Sequence, residues 1–122
     1  MSAPAREDKL LSTLGLCARA RKLVMGTPMV CEAMREKKTP VVAVLEASDT
    51  SENTHKKLSD KCAFYGVPLY RLAADTVRLG RAVGKTGAVA AVGVTDESLY
   101  NALAKHLPKG EANGETNTIP NE

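Results

Sequence analysis

The length, composition and charge of the chain exclude several classes of protein. Its 122 residues are enough for one domain with a buried core. One Phe, three Tyr and no Trp argue against binding that depends on stacking splayed bases on aromatic rings. The chain carries 17 Lys and Arg against 14 Asp and Glu, and residues 1–109 alone carry +6, a basic body that suits a polyanionic partner.

Cysteine usage and hydropathy indicate the cellular compartment. The three cysteines are odd in number and form no C-x-x-C pair, so we expect small buried thiols rather than a disulfide framework or a zinc site. No apolar stretch is long enough for a signal peptide or a membrane span. We therefore expect a soluble, cytoplasmic protein with no membrane contact.

Helical and strand patterns alternate from the start of the chain. Apolar residues at helical spacing predict a first helix over residues 6–21, and LVM at 23–25 predicts a short strand. After Gly26, Thr27 is expected to be the N-cap of a second helix, with Pro28 at its first position. Three residues of this helix are expected to lie off its core face: Pro28, Met29 and Glu32.

The alternation continues through the second half. Apolar runs and capping residues predict six further elements: a strand over 41–45, a helix from Ser51 to Gly66, a strand over 67–72, a short helix from Asp75 to Gly84, a strand over 88–94 and a helix beginning at Asp96. The strands over 41–45 and 88–94 are apolar throughout, as expected for strands covered on both faces. The pattern predicts an α/β fold, a three-layer α/β/α sandwich within a single domain of residues 1–107. Residues 108–122 are polar and are predicted to be a disordered tail.

Gly84-Lys85-Thr86 matches the end of a phosphate-binding P-loop. The glycine that this motif requires five residues earlier is Leu79 here, and a predicted helix precedes the motif, so we reject a nucleotide hydrolase. Two interpretations remain open: a glycine-flanked loop that offers Lys85 to a phosphate, or an ordinary helix-to-strand turn.

Other polar residues do not form a catalytic or metal-binding set. His55 and His106 are not at metal-ligand spacing and are interpreted as solvated helix positions. Glu46, Asp49 and Glu52 follow the first buried strand, where we expect them to cap the third helix or to orient a base. The sequence therefore predicts no enzyme, no cofactor and no metal.

The basic residues fall into two groups. Three lysines on the polar side of the third helix are interpreted as a solvated face: Lys56, Lys57 and Lys61. Residues 19–22 (RARK) instead lead towards Gly26, just before a helix begins, where free backbone N–H groups attract anions. If this connector lies close to the loop that carries Lys85, the two would present basic residues to one polyanion.

Four segments together resemble the kink-turn-binding ribosomal-protein family of the L-seven-Ae type: GTPMVCEAM at 26–34, VVAVL at 41–45, SENTHKKLSDKCAFYGVPLYRL at 51–72 and LGRAVGKTGAVAAVGV at 79–94. The resemblance covers about residues 8–106 and is greatest to the small bacterial YlxQ-type members. It implies a sandwich around a mixed four-stranded sheet. It also implies RNA recognition through the N-terminus of the second helix and the loop before the last strand.

The resemblance also shows where this chain departs from the RNA-reading pattern. In RNA-reading members the glycine is followed by a small residue, then Asn, Glu and, three further on, Lys. Gly26 and Thr27 match this pattern, but Pro28, Met29 and Glu32 stand in place of Asn, Glu and Lys. Proline has no side-chain donor, methionine offers only a thioether, and a glutamate repels phosphate. The usual readout of sheared G·A pairs is therefore missing.

The resemblance implies a non-catalytic RNA-binding protein that acts on structured RNA, in the ribosome or in its assembly. Its partners would be ribosomal RNA or a kink-turn, together with ribosomal or assembly proteins. The implied RNA-binding residues are Arg21, Lys22, Gly26, Thr27, Pro28, Met29, Glu32, Glu46, Lys85 and Thr86. The alternative is a protein-interaction module on the same fold that has lost specific RNA readout.

Overall fold

Helices and strands alternate along the chain as the sequence predicts. The computed structural model describes residues 2–36, 38 and 40–107, with side chains from residue 7 onward. The tail predicted over residues 108–122 lies outside the described residues. The elements are α1 (Ser2–Arg19), β1 (Leu23–Met25), α2 (Thr27–Glu36), β2 (Ala43–Glu46), α3 (Glu52–Tyr65), β3 (Leu69–Arg71), α4 (Thr76–Ala82), β4 (Ala91–Val94) and α5 (Glu97–Ala104).

The strands form one mixed sheet in the order β1-β4-β2-β3. β4 pairs antiparallel with β1 on one side and with β2 on the other, so that Val92 lies opposite both Met25 and Leu45. β2 and β3 pair in parallel. The mixed four-stranded sheet implied by the resemblance is confirmed.

Side chains on the two faces of the sheet fill two hydrophobic clusters. Leu45 faces the cluster formed with α1, α4 and α5, whereas its neighbour Val44 faces the cluster formed with α2 and α3. Every residue of β2 and β4 is buried, which confirms that both strands are covered on both faces. The three-layer α/β/α sandwich is therefore confirmed.

The first helix differs from its prediction at both ends, because it covers Ser2–Arg19 rather than residues 6–21. The chain leaves the helix in a Schellman turn, in which the Lys22 N–H donates to the Cys17 carbonyl at 2.9 Å. Arg21 adopts the left-handed conformation that this turn requires, with φ 62°. Glycine is usual at such a position, and an arginine there costs about 1 kcal/mol.

The start of α2 corrects the predicted capping. The Gly26 carbonyl accepts the first helical hydrogen bond, from the Val30 N–H at 2.9 Å, so Gly26 occupies the cap position. Thr27 is therefore the first helical residue, and the prediction that it is the N-cap is wrong. Pro28 follows at the second position, where its missing N–H leaves no broken hydrogen bond. Pro28 and Met29 are exposed, as predicted.

The predicted starts of three helices are confirmed, whereas the predicted strands differ in their bounds. Ser51, Asp75 and Asp96 each accept a hydrogen bond from the backbone N–H three residues later, which confirms them as N-caps. The strands predicted over 67–72 and 88–94 are shorter, and the strand predicted over 41–45 is displaced towards Glu46. The displacement occurs because Glu46, although charged, is fully buried and belongs to the strand.

The loop of residues 84–90 is held against α4 by a close approach between two glycines. The Lys85 N–H donates to the Gly80 carbonyl at 2.8 Å, which folds the loop back along the helix. A Cβ atom on Gly80 would lie 2.1 Å from the Gly87 carbonyl oxygen. Only glycine at position 80 therefore allows the loop to take this path into β4.

We expect Gly80→Ala to displace this loop and to lower the free energy of unfolding by about 1–3 kcal/mol, because overpacking forces the backbone apart. Urea denaturation measures the change. Gly87→Ala is the matched control, since a Cβ there meets no atom within 4 Å. Equal stability of the two variants would contradict the close approach.

Candidate nucleic-acid interface

One end of the sheet brings together the connector at Gly26 and the end of the loop before β4. The Gly26 N–H donates to the Ala91 carbonyl at 2.8 Å, and the Ala47 N–H donates to the Ala90 carbonyl at the same distance. Three chain segments therefore meet around the entry to β4. We call this surface the glycine edge and define it as residues 26–29, 46–50 and 88–91.

The N-terminus of α2 offers the glycine edge a mixture of polar and apolar groups. The first backbone N–H groups of the helix have no partner within the helix, a usual feature of helix N-termini that favours anions. The Thr27 hydroxyl oxygen is buried and has no hydrogen-bond partner among the described residues. Beside it, Met29 exposes 57% of its surface. This terminus can therefore hydrogen-bond through its backbone and contact an apolar surface through Met29.

Glu46 supplies the buried carboxylate of the glycine edge. It lies at the end of β2, and its two oxygens are 2.8 and 3.0 Å from the His55 Nδ1. The Thr50 hydroxyl donates to the same carboxylate. Because a carboxylate only accepts hydrogen bonds, the Nδ1 of His55 carries the proton of this contact. These donors satisfy a group whose burial alone would be costly.

His55 therefore differs from its prediction. Its side chain is 41% exposed and is oriented by Glu46, so the interpretation of His55 as a solvated helix position is wrong. Asp49 also differs, because it accepts from the Thr76 N–H at 2.7 Å and from the Thr76 hydroxyl at 3.2 Å, and so holds the start of α4 rather than α3. Glu52 lies exposed in the first turn of α3.

The basic residues of the predicted site lie at a different place from Gly26. The Lys22 carbonyl accepts from the Thr95 N–H at 3.0 Å, at the other end of β1. At ~3.3 Å per residue, Lys22 and Gly26 are about 13 Å apart along the strand. Arg21 and Lys22 are thus not brought together with Gly26.

Of the basic residues that precede β1, Arg19 lies next to the start of the loop that carries Lys85. Arg19, two residues before Arg21, lines a cavity of about 230 Å³ together with Arg81 and Gly84. Lys85 and Thr86, both exposed, follow Gly84 directly. We call this surface the basic rim, formed by Arg19, Arg21, Lys22, Arg81, Lys85 and Thr86. The structure thus places Gly26 to Met29 and Glu46 at the glycine edge, Arg21 and Lys22 before the other end of β1, and Lys85 and Thr86 in loop 84–90.

Glu32 carries a negative charge on the exposed side of α2, one turn beyond Met29. Its carboxylate lies 3.0 Å from the Arg35 guanidinium. This contact, with a smaller contribution from Glu36, lowers the pKa of Glu32. The carboxylate is therefore ionised at neutral pH and repels phosphate, as predicted from the sequence.

Two residues that sequence reasoning missed belong to these surfaces. His55 is nine residues after Glu46 and lies in the first turn of α3, whose N-cap Ser51 is predicted from the sequence. The short connection between β2 and α3 is the signal that could have placed His55 next to Glu46. Arg81 precedes Gly84 and Lys85 by one helical turn, and this local clustering of basic residues was also visible. Both signals depend on knowing which ends of the elements meet.

The described residues offer little of the chemistry that metal or thiol enzymes use. Within the described ranges no three His, Cys, Asp or Glu side chains are grouped to hold a metal ion. Burial raises the pKa of Cys17, and burial aided by Cys31 and Glu46 raises the pKa of Cys62 to about 12, so both remain neutral thiols at pH 7. None of the described helices has the length and apolarity needed to cross a membrane.

Comparison with known proteins identifies related sequences. The model of the ribosomal protein L7Ae/L30e/S12e/Gadd45 family matches residues 8–104. The chain is 42% identical over 94 residues to the RNA-binding protein YlxQ of Bacillus subtilis, covering 77% of this chain and 90% of that protein. It is 34% identical over 103 residues to the RNA-binding protein YlxQ of Enterococcus faecium, covering 84% and 94%.

Solved structures show the same fold. A protein of unknown function from Bacillus halodurans superimposes with a TM-score of 0.72 at 39% identity, covering 80% of this chain and 95% of that chain. The Giardia lamblia 15.5kD RNA binding protein superimposes with a TM-score of 0.68 at 19% identity, covering 84% of each chain. At that identity the second likeness concerns the fold alone.

We expect Glu46→Gln to lower the free energy of unfolding by about 1–3 kcal/mol, because the amide loses the negative charge and replaces one of the two acceptor oxygens with an NH2 donor. In a double-mutant cycle with His55→Ala, the two changes should cost less together than the sum of the single costs. Urea denaturation measures all three variants. Glu52→Gln is the control, since this carboxylate is exposed in the same segment. Additive costs would show that the contact contributes nothing.

Proposed function

The chain belongs to the ribosomal protein L7Ae/L30e/S12e/Gadd45 family, and on this basis we propose that it is a non-catalytic, cytoplasmic protein that binds structured RNA in the ribosome or during its assembly. The RNA-binding domain would span residues 1–107, with ribosomal or assembly proteins as further partners. The YlxQ proteins that it resembles are named RNA-binding proteins, which favours this role over a protein-interaction module without RNA contact.

The observation that carries the proposal is the loop of residues 84–90, which joins the basic rim to the glycine edge. At its start, Gly84 lines the cavity shared with Arg19 and Arg81. At its end, the Ala90 and Ala91 carbonyls bind the segments that follow β2 and β1. An RNA lying along this loop would contact positive charge at one end and a helix N-terminus at the other.

The two surfaces would contribute differently to binding. On the basic rim, Arg21, Lys22 and Lys85 would contact phosphates, which supplies affinity without sequence information. At the glycine edge, the first N–H groups of α2 would hydrogen-bond the RNA, while Pro28 and Met29 would pack against an unstacked base. Glu46 would hold this edge in place through His55 and Thr50.

The exposed face of α2 would limit discrimination between RNAs. Pro28 and Met29 provide no side-chain donor at the positions next to the glycine, and Glu32 opposes phosphate. Phosphate contacts therefore dominate the proposed binding.

We expect the protein to bind a labelled kink-turn RNA with steep salt dependence, and to bind a matched RNA whose tandem G·A pairs are replaced by Watson–Crick pairs with similar affinity. The reason is that phosphate contacts, rather than base readout, dominate. Fluorescence anisotropy over a salt series measures both. The combined variant Pro28→Asn, Met29→Glu, Glu32→Lys should raise the preference for the kink-turn at least about tenfold, because it restores side chains that hydrogen-bond the G·A pairs.

Absence of binding to either RNA at low salt would refute the proposed function. A wild-type protein that already discriminates strongly between the two RNAs would show instead that other residues have replaced the missing readout.

We expect Arg21→Gly to stabilise the protein and weaken RNA binding at the same time. Glycine relieves the left-handed conformation at position 21, which is worth about 1 kcal/mol, while the variant loses one phosphate contact. The midpoint of thermal unfolding should therefore rise. The negative slope of log K against log salt should become shallower by about 0.7–0.9. Lys85→Gln should give the same fall in slope.

Lys105→Gln is the control for these variants. Lys105 is exposed at the end of α5, a helix whose Tyr100 hydroxyl hydrogen-bonds with Tyr70 on β3, the strand at the opposite side of the sheet from β1. An unchanged salt slope in both Arg21→Gly and Lys85→Gln would place the phosphate contacts away from the basic rim.

A further inference from the structure

The outer face of α3 carries a basic stripe that ends in an exposed aromatic ring. Lys57, Lys61 and Phe64 follow one another at spacings of four and three residues, so they lie on one side of the helix. Phe64 is the one phenylalanine of the chain, and 80% of its surface is exposed. These side chains line a shallow open groove of about 740 Å³. We call this surface the α3 face.

The lysines of the α3 face differ in their partners. Lys56 forms an ion pair with Asp60 at 3.2 Å. Lys57 and Lys61 are exposed, and neither forms an ion pair with a residue that the structure describes. Two positive charges on this face are therefore available to an anionic partner.

The ring of Phe64 is mostly exposed and contacts the ring of Tyr65, the next residue in the chain. Its centroid lies 4.9 Å from that of Tyr65, and the two rings are perpendicular, as in an edge-to-face contact. A fully solvated helix face gains nothing from a phenylalanine at this position. Although the chain has too few aromatic residues for stacking to be its main mode of binding, Phe64 provides one platform for a base.

The α3 face starts close to the glycine edge along the helix axis, but on the opposite side of α3 from His55. α3 begins beside Glu46, which holds His55 in the first turn of the helix. Phe64 is nine residues beyond His55, or about 14 Å along the helix axis at ~1.5 Å per residue. An RNA strand that leaves the glycine edge and passes over the N-terminus of α3 would reach Lys57 and Lys61 first and Phe64 last.

We propose that the α3 face binds a single-stranded segment of RNA next to the structured element, with Lys57 and Lys61 on its phosphates and Phe64 stacked on an unpaired base. This proposal rests on the proposed function. The combination of unpaired positive charge and one accessible ring favours an RNA strand as occupant. A second copy of the chain would instead bring like charges together.

The test compares a hairpin RNA with the same hairpin carrying about eight uridines at its 5′ or 3′ end, a length within the usual range of single-strand sites. Affinities are measured by fluorescence anisotropy at one salt concentration. One of the extensions should tighten binding to the wild type at least about fivefold. Phe64→Ala and the double variant Lys57→Gln, Lys61→Gln should each remove most of this gain and leave the affinity for the plain hairpin nearly unchanged.

Two variants away from the α3 face serve as controls. Leu16→Ala removes an exposed apolar side chain from α1, and Lys105→Gln removes an exposed charge from the end of α5. Both should keep the full gain from the extension.

Four outcomes would overturn the proposal. If the protein binds the plain hairpin and neither extension tightens binding, the proposal fails and the proposed function stands. The same holds if an extension tightens binding and the α3 variants keep that gain. Failure to bind any of the RNAs would overturn both. The wild type could instead sediment as a dimer that Phe64→Ala dissociates, with no gain in affinity from the extension. That result would show that the α3 face binds a second copy of the chain.

Discussion

The arrangement of this protein depends on the hydrogen bonding of β4 along both of its edges. β4 pairs antiparallel with β1 and with β2, and all four of its residues are buried. Where the strand begins, the Ala90 carbonyl accepts from the Ala47 N–H and the Ala91 carbonyl accepts from the Gly26 N–H. Because buried backbone groups must be paired, these bonds hold the ends of β1 and β2 at the entry to β4. The glycine edge is a direct consequence of that pairing.

The polar groups at this edge have to be satisfied within a largely apolar surrounding. Glu46 is completely buried, and its carboxylate is bound by the side chains of His55 and Thr50. Loss of either donor would leave a buried carboxylate oxygen with fewer hydrogen bonds. An unsatisfied buried acceptor costs more stability than a typical hydrogen bond contributes. The contact therefore fixes the position of the α3 N-terminus relative to the end of β2.

Two positions where glycine is favoured differ in the residue that occupies them. At Gly80 the close approach of the Gly87 carbonyl requires glycine, and glycine is present. At Arg21 the turn favours glycine, yet a charged residue occupies it. Arg21 is two residues beyond Arg19, which lies beside Arg81 and Gly84. The proposed phosphate contact of Arg21 would explain why an unfavourable residue occupies this position.

The sequence by itself determined the fold class and much of the element order. Unbroken apolar runs predicted the two central strands, and capping residues such as Ser51, Asp75 and Asp96 located three helix starts, because these signals are local. Helical periodicity also placed Pro28, Met29 and Glu32 off the core face of α2, and the resemblance to the family showed that they depart from its pattern. Tertiary structure decided the rest. That Glu46 is buried, that His55 binds it, and that Arg19 lies beside Gly84 all depend on contacts between residues distant in the chain, which no local pattern encodes.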